Sequence, residues 1–377
     1  MDYNPNGQFE NQQNNGINGN QNPNNNGFYG NPQNNIPLQK YSVPPYYPVM
    51  PQYTVNPQEE QKRKDKKILK TFGFAFGLAI ILYFILSYLV VGVLYALSVP
   101  FPSVEFLLKD TTGLYILQGF VSVFCIGGPF LIAFAILRSK KYIGILPYGT
   151  TYNKKAAVSL VMFLAPIVLI STIIINVISA IFQDAMGITF ESGFEDLYPQ
   201  GPLGAVVLIF TLAVIPAVVE EFCIRGVVLQ PLRRYGDKFA IIMSAAIFSI
   251  LHGNMVQIPY TLVAGIYFGY LCVATGSLWP SIILHFINNL FSAIEMIVYA
   301  NYGEEASTLA IFIMLGVLII VGIAGGIVFF SMHYKTELKD GVNTLRTGEK
   351  VGSVLKSPAM IIAIIFMLIT TATSVKF

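Results

Sequence analysis

The sequence is poor in charged residues, and this scarcity excludes an ordinary soluble protein. Only 11% of the 377 residues are Asp, Glu, Lys or Arg, whereas 54% are hydrophobic. A typical soluble domain has roughly 25% charged residues. The composition therefore predicts a membrane protein.

Cysteine is also scarce. Cys125, Cys223 and Cys272 all lie inside apolar runs, which excludes both a disulfide framework and a cysteine-based zinc cluster. The net charge is only +3, and the basic residues are concentrated in particular loops. This distribution indicates membrane orientation and gives no support for a nucleic-acid partner.

Aliphatic residues are lacking from the first part of the chain. Residues 1–61 are dominated by Asn, Gln, Gly, Pro and Tyr, a composition that cannot build a packed core. We predict a disordered cytoplasmic tail, followed by the basic run Lys62–Lys67 at the start of a membrane domain over residues 62–377. No signal peptide precedes the first apolar run, so we expect that run to direct membrane insertion.

Nine apolar runs follow the tail, most of them near the roughly 20 residues needed to cross a bilayer. They predict an all-α, polytopic transmembrane bundle of nine spans. Because the fifth and last runs are the weakest, a bundle of eight spans is the alternative. The runs cover residues 72–98, 114–137, 156–183, 203–230, 239–253, 256–275, 278–299, 308–332 and 358–374.

Lysine and arginine distribution predicts the orientation of these spans. A cytoplasmic N-terminus places most basic residues on the cytoplasmic side, as the positive-inside rule requires. Only Lys109 and Lys376 remain in the opposite loops. We therefore expect a multi-pass protein of the plasma membrane, in contact with lipid. The residues assigned to the cytoplasmic side are Arg138, Lys140, Lys141, Lys154, Lys155, Arg233, Arg234, Lys238, Lys335, Lys339, Arg346, Lys350 and Lys356.

The fourth apolar run contains three ionisable residues, and such residues inside a membrane usually mark a functional site. Glu221 and Arg225 stand four residues apart, with the acid first, which favours an ion pair on one helix face. Glu220 points roughly 100° away from Glu221 and has no partner in its own helix. Pro216 frees the carbonyl of Leu212 and should kink the helix beside these charges.

Three further polar residues lie inside later spans. His252 ends the fifth run, whereas His285 and Asn289 lie one helical turn apart in the seventh. Counted at about 1.5 Å per residue, they and Glu220 all fall roughly 10–20 Å below the cytoplasmic boundary. Because buried polar groups are costly when unpaired, we predict that these residues converge on one site.

This set of residues suits the addition of water to an amide bond. A glutamate can take a proton from water, while His and Asn can stabilise the resulting oxyanion. The alternative is a divalent metal such as zinc, with Glu220, His252 and His285 as possible ligands. The sequence does not choose between the two, although it contains no His-Glu-x-x-His motif.

Taken in order, these motifs resemble those of the CPBP (CAAX prenyl protease and bacteriocin-processing, or Abi) family of intramembrane endopeptidases. The likeness covers roughly residues 203–300. It implies that Glu220 activates water beside His252, and that His285 and Asn289 form the oxyanion site. Glu221, Arg225 and Phe248 would support them. The three motifs are Glu220-Glu221-x-x-x-Arg225, Phe248-x-x-x-His252 and His285-x-x-x-Asn289.

The resemblance implies a peptide or membrane-protein substrate and leaves both its identity and the need for a metal open. Two other functions are alternatives. A transporter would use the intramembrane charges as a proton or substrate pathway, but the sequence shows no internal repeat with paired broken helices. A membrane partner without protease activity, such as an immunity protein, is the other alternative.

Overall fold

The computed structural model describes residues 56–149, 151–191 and 197–376. Of the tail predicted over residues 1–61, residues 1–55 therefore lie outside the described residues. The first helix begins at Pro57, and the side chain of Asn56 caps it by accepting a hydrogen bond from the backbone N–H of Gln58. The last residues of the predicted tail are thus the first turn of a helix.

The described part of the chain is built of ten helices and a pair of two-residue strands, so the predicted all-α fold is confirmed. The helices are α1 (Pro57–Ser98), α2 (Pro102–Lys109), α3 (Thr111–Ser139), α4 (Lys154–Met186), α5 (Gly201–Tyr235), α6 (Asp237–Leu251), α7 (Ile258–Thr275), α8 (Trp279–Ser331), α9 (Thr347–Leu355) and α10 (Pro358–Thr373). The strands β1 (Thr189–Phe190) and β2 (Val375–Lys376) pair antiparallel.

Six of these helices are long and apolar enough to cross a membrane, namely α1, α3, α4, α5, α7 and α8. The number rises to seven if α9 and α10, which meet at a bend of 80°, form one broken span. The sequence predicts nine spans, with eight as the alternative, and both numbers exceed the six or seven found among the described residues. The fifth predicted span is the 15-residue α6, which is too short to count alone. The seventh and eighth are both contained in the 53-residue α8.

A single glycine divides α8 into two arms. Gly303 has φ 82° and ψ −175°, outside the helical region, and only glycine adopts such a conformation without steric cost. The arms before and after it correspond to the seventh and eighth predicted spans. The break at Gly303 therefore explains why the single helix α8 contains two predicted membrane spans.

Helix α5 changes its winding twice around its acidic residues. Ile209–Val214 and Phe222–Leu229 are π-helical, and the α-helical piece Ile215–Glu221 lies between them. π-Helical segments are rare and often accompany functional sites. Pro216 is the second residue of the α-helical piece, so the predicted irregularity beside Glu220 takes the form of altered winding.

Helices α6 and α7 pack closely through two glycines. A Cβ atom added to Gly265 would lie 3.1 Å from the Cβ of Ala245, and one added to Gly269 would lie 3.3 Å from Ile241. The small residues thus serve packing inside the chain. This contact brings Phe248 of α6 against the helix that follows it.

Basic segments gather at one end of the helical unit. The buried carboxylate of Asp65 accepts hydrogen bonds from the hydroxyls of Tyr235, at 3.1 Å, and Thr344, at 2.7 Å. Lys66 pairs with Glu349 of α9 at 2.9 Å. From α9 the chain bends by 80° into α10 and continues into β2, where Lys376 pairs with Glu191 at 3.6 Å.

Candidate active site

The acidic motif on α5 forms a fully buried ion pair. Glu221 and Arg225 both have 0% exposure, and Nη1 of Arg225 lies 2.7 Å from Oε1 of Glu221, which confirms the predicted pairing. Nη2 of Arg225 donates to the carbonyl of Gly265 at 3.1 Å. The guanidinium carbon also lies 4.7 Å from the ring centre of Phe248 and 5.2 Å from that of Phe268.

These contacts explain how Arg225 can remain charged away from water. A buried ion loses its hydration, and one countercharge alone often fails to compensate for that loss. Here a carboxylate, a backbone carbonyl and two aromatic faces surround the cation, and each attracts positive charge. Residues from α5, α6 and α7 therefore meet at one point.

His285 of α8 joins the same cluster. Its Nδ1 lies 3.0 Å from Oε1 of Glu221, and only 4% of its surface is exposed. Since an ionised carboxylate only accepts hydrogen bonds, Nδ1 must carry the proton. The imidazole also stacks on Phe268, with ring centres 4.9 Å apart and planes inclined by 21°. Orientation and tautomer of His285 are thus set by two contacts.

Glu220 is the more accessible of the two acids. Its side chain is 17% exposed, compared with 0% for Glu221, and its Oε2 lies 3.8 Å from Nε2 of His285. That distance is too long for a direct hydrogen bond. Within the described residues Glu220 has no ion pair in its own helix. Its carboxylate is therefore the one available to a small molecule such as water.

His252 lies at the C-terminal end of α6, as predicted. Gly253, with φ 65°, ends the helix, and the Nδ1 of His252 lies 2.9 Å from the carbonyl of Phe248. Because a carbonyl only accepts, Nδ1 of this histidine also carries the proton. The ring of Phe248 connects the two imidazoles, with its centre 4.8 Å from that of His252 and 5.9 Å from that of His285.

Asn289 lies one turn beyond His285 on α8, yet within the described residues its hydrogen bonds go to partners outside the central polar cluster. Its Nδ2 donates to the carbonyl of Leu212 at 3.0 Å, and its Oδ1 accepts from the amide of Asn288 at 3.2 Å. Leu212 lies one turn before Pro216 on α5. Asn289 is thus tied to the acidic helix, while Glu220, Glu221, Arg225 and His285 form the central cluster.

The geometry of the histidine and acidic side chains determines whether this site can bind a metal ion. Both His252 and His285 donate through Nδ1, which leaves Nε2 as the potential ligand atom, an arrangement common at metal sites. However, among the residues that the structure describes, no three His, Cys, Asp or Glu side chains group as they would around a metal ion. Glu220, His252 and His285 therefore do not form a zinc site in this arrangement.

Sequence reasoning missed several residues of this site. Phe268 contacts both Arg225 and His285, and the carbonyl of Gly265 binds Arg225. Tyr83 of α1 and Tyr260 of α7 also lie near the carboxylate of Glu220. Aromatic residues are frequent throughout the apolar runs, so no local pattern distinguishes these. Their involvement follows from how the helices pack.

The described residues thus form a polytopic helical membrane protein. Its candidate site is a buried cluster of carboxylate and imidazole side chains. Residues 202–291 match the family model described as Rce1-like, type II CAAX prenyl endopeptidase Rce1-like. This match confirms the predicted relationship to the CAAX protease family over that region and supports a membrane-embedded protease. No curated protein and no solved structure matches the chain.

Proposed function

We propose that this protein is an intramembrane endopeptidase in which Glu220 activates a water molecule for attack on a peptide bond. The observation that supports this most directly is the contrast between the two neighbouring glutamates. Glu221 is held by Arg225 and His285, whereas Glu220 is partly exposed and faces the free ring nitrogen of His285 across 3.8 Å. A base must be accessible to water, and Glu220 meets that condition.

In the proposed reaction, Glu220 takes a proton from water while the hydroxide oxygen bonds to the carbonyl carbon of the substrate. The carbonyl oxygen becomes an oxyanion. When the intermediate collapses, the C–N bond breaks, and protonated Glu220 returns its proton to the leaving amine. His252 orients the water or shares its proton, as an imidazole with a fixed Nδ1–H can.

Two groups are assigned to the oxyanion. Asn289 has a second N–H on the Nδ2 that binds Leu212, and that hydrogen is available to a substrate. Protonated His285 would donate through Nε2, because its Nδ1–H is already held by Glu221. The carboxylate of Glu221 holds the ring in the orientation that this role requires. One such donor is worth about 3–4 kcal/mol in other enzymes.

The proposed substrate is a peptide or membrane-protein segment that reaches the site from the cytoplasmic side of the plasma membrane. The basic run near Lys62, together with the loops around Arg234 and Lys339, supports a cytoplasmic location for that end of the bundle. Prenylated C-terminal peptides are a rational first test, because the matched family is named for CAAX prenyl endopeptidases.

The experiment is cleavage of a peptide library, with and without prenyl groups, by purified protein in detergent. Wild type is compared with Glu220→Ala, His252→Ala and Asn289→Ala. The matched control is Glu295→Ala, which removes a different partly buried carboxylate, one that lies on α8. We expect cleavage by wild type and the control, and strong loss in the other three variants.

Each alternative has its own outcome in the same assay. Full activity in Glu220→Ala would refute the assigned base. A stoichiometric metal in wild type that is lost from the histidine variants would favour metal-bound water as the nucleophile. Complete absence of cleavage by wild type across the library would favour a non-proteolytic membrane partner.

A further inference from the structure

A proline and an asparagine meet through one backbone carbonyl. Proline has no N–H, so Pro216 cannot donate to the carbonyl of Leu212, four residues earlier in α5. That carbonyl therefore lacks the donor that a regular α-helix would supply, and backbone carbonyls within a membrane need one. The donor found here is Nδ2 of Asn289, 3.0 Å from the oxygen and 77 residues away in the chain.

The bond to Leu212 restricts the amide of Asn289. The carbonyl can only accept, so the NH₂ group of Asn289 must face α5. Its Oδ1 is held in turn by the Nδ2 of Asn288 at 3.2 Å. With both ends of the amide engaged, its second N–H has a defined direction. Without the Leu212 contact, the amide would be held only through its Oδ1 and would be less restricted about its terminal bond.

We infer that Pro216 is a positioning residue, which keeps the Leu212 carbonyl available to Asn289 and thereby orients the oxyanion donor. This role rests on the proposed function of Asn289. Pro216 also lies four residues before Glu220, so one stretch of α5 positions both the base and the donor. The intervening residues Ile215–Glu221 are regular α-helix between two π-helical segments, which keeps their separation fixed.

The test is a pair of double-mutant cycles built on Pro216→Ala and Asn289→Ala. Alanine at position 216 supplies an N–H that can satisfy Leu212 without Asn289. The matched control is Pro166→Ala. Pro166 is also a buried proline within a membrane helix, but it packs against Gly322 in the second arm of α8.

The first cycle measures thermal unfolding in detergent and does not depend on activity. In the wild-type and Pro166→Ala backgrounds, Asn289→Ala should lower the melting temperature by the same amount, because it leaves Leu212 without its side-chain donor. In the Pro216→Ala background the loss should be clearly smaller. Equal losses in all three backgrounds would overturn the coupling, even if the protein proves to have no protease activity.

The second cycle measures cleavage kinetics. We expect Pro216→Ala to reduce kcat about 10- to 100-fold through misplacement of the donor, with KM within about twofold of wild type. Adding Asn289→Ala should then cause little further loss, whereas Pro166→Ala should leave kcat unchanged. Unchanged kcat in Pro216→Ala would refute the positioning role. Inactive wild type together with a coupled stability cycle would instead place the failure in the proposed function.

Discussion

His285 donates its Nδ1–H to Glu221 at 3.0 Å, and this contact places its Nε2 3.8 Å from Glu220. The two adjacent glutamates therefore stand on opposite sides of one imidazole. Glu221 belongs to the buried ion pair with Arg225, while Glu220 is partly exposed. His285 thus links the structural carboxylate of Glu221 to Glu220, the proposed catalytic base. One ring nitrogen binds Glu221 and the other faces Glu220.

The first prediction separates the two glutamates. Glu221→Gln removes the countercharge of a fully buried arginine and should destabilise the protein by about 3–5 kcal/mol. Glu220→Gln breaks no ion pair with a permanent cation and should leave unfolding nearly unchanged, while lowering kcat by about 10²–10⁴. Unfolding in mixed SDS micelles and cleavage assays measure the two effects. A larger stability loss for Glu220→Gln would reverse the assignment.

The second prediction concerns His285. His285→Gln keeps a polar side chain but loses the imidazole Nε2 assigned to the oxyanion, so kcat should fall by about 10²–10³ with little change in KM. His333→Gln is the control, because His333 is exposed at the end of α8 and bonded to the carbonyl of Ser331. Equal kinetics in the two variants would argue against a role for His285 in the transition state.

The third prediction concerns membrane orientation. Ile145, 92% exposed between α3 and α4, should face the cytoplasm, and Tyr302, 77% exposed beside Gly303, should face outward. An impermeant maleimide applied to intact cells should label the Tyr302→Cys variant at once, and Ile145→Cys only after permeabilisation. Background labelling should be low because the three native cysteines are buried. The opposite pattern would invert the topology.

The fourth prediction concerns the polar cluster at the basic end. Asp65 has 0% exposure and binds Tyr235 and Thr344. Asp65→Ala removes the carboxylate that accepts from both hydroxyls and leaves Tyr235 only a 3.5 Å contact with the backbone carbonyl of residue 65, so it should cost roughly 2–4 kcal/mol of stability. Lys64→Ala is a neighbouring control that removes only an exposed pair with Glu60 and should have no measurable effect. Similar unfolding curves for the two variants would contradict the proposed importance of Asp65.

Much of the fold follows from the sequence alone, because a chain in lipid must satisfy its backbone hydrogen bonds within each segment. Long apolar runs consequently become helices, and each of the nine predicted runs is helical over most of its length. The ion pair of Glu221 with Arg225 is predictable for a similar reason. Residues four apart on a helix are neighbours whatever the rest of the protein does.

The number of spans was less predictable. Hydropathy shows where helices form, but it does not show that the seventh and eighth segments continue into each other across Gly303. Nor does it show that α9 and α10 meet at 80°. Those features depend on the backbone angles of a few residues and on packing against α1.

Contacts between helices were decided only by the tertiary structure. The motifs place His285 and Asn289 on one face of α8, yet they do not reveal that the first binds Glu221 and the second binds the carbonyl of Leu212. Phe268 gives no local signal of its contact with Arg225. Sequence spacing determines neighbours within a helix, whereas the rotation and depth of each helix against the others determine which side chains meet across 64 or 77 residues of chain.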